Sequence, residues 1–167
     1  MKKIYFLLLA ALFFSQLTYA QQGLINKLTE QEFYQIKIND IPILDMMRTR
    51  GDYTKLKAMF GNDLQYEYDL LDTRKEFKNS KIDLVFEDTD YGLQSFVLHY
   101  PTTLTIKGKE VKIGDDVSAL GLVLVRTDPS DGEMSVHYRD ERTETASVTI
   151  DINPITKKIT EIYYVLY

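Results

Sequence analysis

The chain has 167 residues, no cysteine, and 20 basic against 25 acidic residues, a formal net charge of −5. Without cysteine it has neither a disulfide framework nor an acylated N-terminal cysteine, and an acidic surface that repels phosphate backbones excludes nucleic acid as a partner class. A chain of this length buries enough apolar surface for one domain to stand on its core alone.

Lys2 and Lys3, an apolar run from Ile4 to Phe14 and a polar stretch ending Thr18-Tyr19-Ala20 predict a secretory signal peptide over 1–20, cleaved before Gln21. The apolar run is 11 residues, whereas a membrane-spanning helix needs about 20. No permanent membrane anchor is therefore expected, and the destination is the periplasm or the cell exterior. Cleavage removes Lys2 and Lys3 and moves the formal charge from −5 to −7.

Residues 21–32 read as a polar N-terminal extension, and 33–167 as a single α+β domain. Its first element is a hairpin: Ile36 and Ile38, the turn Asn39-Asp40, then Ile41 and Ile43. Apolar residues at Leu44, Met47, Leu56, Met59 and Phe60 follow at helical spacing, with a break at Gly51-Asp52 and a stop at Gly61. A strand is predicted over 64–70. A second hairpin follows, in which Leu84 and Phe86 lead through acidic turn residues to Leu93, Phe96, Leu98 and Tyr100.

The same order recurs 66 to 70 residues later, in Leu104 and Ile106, the turn Lys107-Gly108, then Val111 and Ile113. Gly114-Asp115-Asp116 caps a short helix over 117–120, stopped by Gly121. Strands are predicted over 122–126 and 134–138, separated by the turn-rich Asp128-Pro129-Ser130-Asp131-Gly132. A closing hairpin runs from Ile150 and Ile152 through Asn153-Pro154 to Ile159, Ile162, Tyr164 and Leu166. The predicted plan is two tandem β-α-β-β-β repeats, 33–100 and 101–167, forming one mainly antiparallel sheet with short helices on one face.

Tandem units with an Ile113-Gly114-Asp115 step into a short helix and a closing strand-turn-strand resemble the β-lactamase-inhibitor-protein fold and the related small outer-membrane-assembly lipoproteins. The resemblance covers most of 33–167. It implies a non-enzymatic binding module that uses the sheet face turned away from its helices. The chain departs from the pattern in lacking the disulfides of the inhibitors and the lipidated cysteine of the assembly proteins, so no inhibitory residue carries over.

Candidate chemistry is sparse. His99 and His137 each stand beside a tyrosine in a strand segment, outside any metal-ligand spacing, and read more simply as sheet-surface residues than as ligands or bases. Glu87-Asp88-Thr89-Asp90-Tyr91-Gly92 has the carboxylates of a calcium loop, but its glycine falls one position early and no closing glutamate follows, which favours a solvated turn. Asp115 and Asp116 read as helix caps, and 139–144 as a solvated loop of alternating charge. No serine has a nucleophile-elbow context, and there is no glycine-rich phosphate loop. No cofactor, no metal and no enzymatic activity are expected.

Strand parity goes one step further. If Phe96, Leu98, Ile162, Tyr164 and Leu166 face the core, then Val97, His99, Tyr163, Val165 and Tyr167 share the opposite face, joined by His137. Tyrosines in an aliphatic surround mark an interaction surface. The functional expectation is an exported binding protein that engages a protein or peptide, basic in character, through its open sheet face, in the form of an inhibitor or immunity protein or, equally, of a general assembly factor. The alternatives are a small outer-membrane β-barrel, suggested by the alternation ending at Tyr167, and an envelope enzyme assembled from scattered residues.

Overall fold

The computed structural model describes residues 24–88, 92–143 and 145–166. In chain order the elements are β1 (Asn26–Leu28), α1 (Glu30–Tyr34), β2 (Lys37–Ile38), β3 (Ile41–Pro42), α2 (Ile43–Arg48), α3 (Tyr53–Phe60), β4 (Gln65–Asp69), β5 (Arg74–Lys78), β6 (Ile82–Glu87) and β7 (Leu93–Leu98). There follow β8 (Leu104–Ile106), β9 (Lys109–Val111), a 3-10 helix η1 (Val117–Leu120), β10 (Arg126–Thr127), β11 (Met134–Asp140), β12 (Ala146–Ile152) and β13 (Ile159–Leu166). The signal peptide predicted over 1–20 lies outside the described residues. No helix among those described is long and apolar enough to cross a membrane.

The strands form two sheets among the described residues, not the single sheet expected. The large one has nine strands in the open order β1-β11-β12-β13-β7-β6-β5-β4, with β10 beside β11. All its pairs are antiparallel except β1 with β11. The small one, β3-β2-β8-β9, joins the two early hairpins of the predicted repeats through β2 and β8. Each hairpin closes on two residues of positive φ, Asn39 (47°) with Asp40 (67°) and Lys107 (49°) with Gly108 (72°), the two-residue turn whose twist matches that of its strands. Ile38, Leu104, Ile106 and Val111 of these short strands are buried in the common core.

Burial alternates with period two where one face of a strand meets the core. In β6, Ile82, Leu84 and Phe86 are buried, and in β13 Ile162 and Tyr164 are buried, with Ile159 brought to the same side by a register shift opposite Asp151 and Ile152. They meet Phe33 of α1, Ile43 and Met46 of α2, and Leu56 and Phe60 of α3 in one cluster. Helices α2 and α3 break at Gly51-Asp52 as predicted: Gly51 takes φ 68°, and the Asp52 carboxylate accepts from the Lys55 N–H at the start of α3. Asp116 caps η1 in the same way through Ser118 N–H.

Four segments depart from expectation. Part of the predicted extension belongs to the fold, since β1 pairs with β11, Leu28 is fully buried, and Thr29 and Glu32 form a capping box for α1. The Thr-x-x-Glu signature before Phe33 marks this start. Strand β5 was not predicted, because only Phe77 among its five residues is apolar. The strand predicted over 122–126 reduces to pairing at Arg126 and Thr127; upstream, the Asn26 side chain holds the backbone of Leu124, at 2.8 and 2.9 Å. The charged run from Arg139 is not simply a solvated loop. Asp140 ends β11 at 4% exposure and accepts a paired hydrogen bond from Arg142 (3.1 and 2.8 Å), whose guanidinium also reaches Glu30 at 2.5 Å. That guanidinium holds the Asp140 carboxyl below its ordinary range.

Candidate sheet-face site

Alternation along β11, β12, β13, β7 and β6 turns one set of side chains away from the core, and the register aligns them in rows. One row runs His137, Thr149, Tyr163, Val97, Asp83. The next runs Arg139, Ser147, Val165, Ser95, Val85. A third places Asp151 between Ser135 and Glu161. The centre of this face is therefore Tyr163 with Val97, Val165 and Val85, all partly exposed.

Of the six predicted site residues, Val97, His137, Tyr163 and Val165 share this face, with Tyr163 and Val97 directly opposite one another. His99 stands just past the end of β7, its Nε2 3.3 Å from Asp83 Oδ1. Tyr167 lies outside the described residues. The patch is narrower and more polar than expected, because β12 contributes only Ser147, Thr149 and Asp151 to this face. Thr149, between His137 and Tyr163, and Ser147, between Arg139 and Val165, are almost fully buried.

His137 is held on both sides. Its Nε2 lies 2.8 Å from Ser135 Oγ and its Nδ1 3.1 Å from Thr149 Oγ1. Burial first, then the positive charge of Arg126 and Arg139, holds its pKa below the ordinary value, so the ring is neutral near pH 7. A serine hydroxyl on imidazole is the first pair of a nucleophilic site, but the third group here is a hydroxyl. It cannot stabilise an imidazolium as a carboxylate does. Asp151 is pushed up to about 6, mainly by burial and then by Glu161 and Glu133.

The other candidates have ordinary structural partners. Glu87 accepts from Gln94 at 2.9 Å, and Asp88 pairs with Lys75 at 2.8 Å while accepting from the Tyr68 hydroxyl at 3.1 Å. Thr89 to Tyr91 of that acidic run lie outside the described residues. Asp115 accepts from Lys112 N–H at 2.9 Å. No group of three or more potential metal ligands occurs among the described residues. Ser135, Thr149 and Asp151 were missed in the sequence because their significance is cross-strand adjacency, which no local motif carries. Comparison with protein-family models, with curated proteins and with solved structures finds no match for this chain.

Proposed function

We propose that this protein is exported by cleavage after Ala20 and acts as a non-enzymatic binding protein, engaging a protein or peptide of basic character through the face centred on Tyr163. The carrying observation is the contiguity of Tyr163, Val97 and Val165 across β13 and β7, an aromatic and aliphatic strip on the face turned away from the core. Interaction surfaces favour a large ring carrying a hydroxyl in such a surround. The acidic balance of the chain steers basic partners toward it. An inhibitor or immunity protein is one specific form of this reading, and a general assembly factor is another.

Two tandem units, 33–100 and 101–167, are part of the proposal. Supporting them, the two early hairpins share the two-residue positive-φ turn and pair through β2 and β8, and the two late hairpins meet at β7 and β13. Superposing 33–100 on 101–167 tests the duplication, and unrelated placements of 93–98 and 159–164 would end it.

Export is checked by the intact mass of the protein recovered from the producing cell, which should begin at Gln21; retention of Met1 refutes it. Binding is checked by affinity capture of envelope and secreted proteins, followed by titration of the captured partner. Changing Tyr163 and Val97 to alanine together should weaken that partner by about 2 kcal/mol or more, with the melting midpoint little changed. Full capture by the double variant would sink the proposal, as would a loss that merely follows unfolding.

A further inference from the structure

Strand β4 ends the large sheet, and among the described residues no backbone pairs with its outer edge. Free edges are ordinarily blunted by lysine, proline or a bulge, because bare N–H and C=O groups invite another strand. The sequence of β4, Gln65-Tyr66-Glu67-Tyr68-Asp69, has neither lysine nor proline, and its register with β5 is unbroken through five pairs. It is an open edge without a bulge, and the tip that follows leaves Leu70 at 81% and Leu71 at 94% exposure.

The two faces of this edge differ. On the core side, Tyr66 remains 45% exposed while stacking on Tyr53 (5.7 Å between ring centres) and meeting Phe77 at 5.2 Å. Tyr68 lies beside it, tied by its hydroxyl to Asp88. The result is an aromatic ledge bare along its outer side. On the other face Glu67 stands in register with Glu76, a like-charged pair. Lys78 pairs with Glu76 at 2.7 Å and lies in the field of Glu67 too, but Glu67 makes no ion pair of its own within 4.0 Å among the described residues. A second copy is the wrong occupant, because β4 contains no basic residue and edge-to-edge pairing would bring carboxylates together.

We propose that the outer edge of β4 accepts, as an added strand, an extended segment of a partner protein in which lysine or arginine alternates with apolar residues. The apolar residues would lie along Tyr66 and Tyr68, and the basic ones beside Glu67. Main-chain hydrogen bonds would supply the affinity and the alternation the specificity. This site is separate from the face around Tyr163, so either reading can fail without the other.

The probes are a short synthetic peptide alternating valine with lysine and its counterpart alternating valine with glutamate, titrated into the ¹⁵N-labelled protein. The lysine peptide should shift amide resonances of 65–69 and their β5 neighbours, and bind about tenfold or more tighter than the glutamate peptide. Glu67→Lys combined with Asp69→Lys should reverse that preference. N-methylation of the lysine peptide throughout should abolish binding although its charges remain. The proposal is overturned by absence of shifts at 65–69, by shifts centred instead on Val97 and Tyr163, by a preference the double variant leaves unchanged, or by undiminished binding of the methylated peptide. Self-association through β4 in sedimentation would also overturn it, since a second copy would then be the occupant.

Discussion

Replacing Phe96 by alanine should lower stability by about 3–5 kcal/mol, the usual cost of removing a buried ring and leaving its space unfilled. Phe96 is 1% exposed at the middle of β7, in register with Tyr164 on one side and Leu84 on the other, and its ring stacks on Tyr164 with centres 5.4 Å apart. Few contacts could close over the gap, because both neighbours are held by their own strands. Urea unfolding at fixed pH measures the effect, with Val97→Ala as the comparison. Val97 is one residue on and faces the other way, only partly buried, so its substitution should cost no more than about 1 kcal/mol. Equal losses at the two positions would mean that the strand faces have been assigned wrongly.

Asp151→Asn should stabilise the protein at neutral pH. The folded-state pKa of Asp151 is raised to about 6 from an ordinary 3.8. Between those two values the folded chain therefore holds a proton that the unfolded chain has released. Stability from this group is complete below about pH 4, falls as pH rises through the window, and is flat above about 6. The full shift would correspond to roughly 3 kcal/mol, but Asp151 retains solvent contact, and screening reduces the expected gain to about 1–2 kcal/mol at pH 7. Asparagine removes the charge that burial, Glu161 and Glu133 oppose. Melting curves of both proteins should differ at pH 7 and converge near pH 4; a constant difference across that range would refute the account. Asp140 has the opposite sign, since Arg142 depresses its pKa, and its contribution is lost only as pH falls below the ordinary carboxylate range.

What could be read in the sequence was whatever local chemistry decides. Period-two alternation in 93–98 and 159–166 put Phe96, Leu98, Ile162 and Tyr164 in the core, and Val97, Tyr163 and Val165 opposite, because a strand that buries one face must alternate. Gly51-Asp52 and Gly61 bounded the helices, since left-handed backbone and a capping carboxylate are properties of single residues. The capping box at Thr29 and Glu32 is equally local, a Thr-x-x-Glu step before the buried Phe33. Strand β5 was not legible, since its charged residues form a strand through pairing with β4 and β6 and not through any pattern of their own.

Tertiary structure alone decided which strands became neighbours. That the early hairpins leave the large sheet and pair with each other depends on β2 meeting β8 across more than sixty residues of chain. That His137 rests between the hydroxyls of Ser135 and Thr149, and that Asp151 lies beside Glu161, follows from the β11-β12-β13 register. The exposure of the acidic β4 edge follows from where the sheet stops. Alternation tells each strand which face to bury and is silent about its partner. Partner choice rests on the shared core into which all these strands pack, and from it come the charge and hydrogen-bond neighbours of the sheet face.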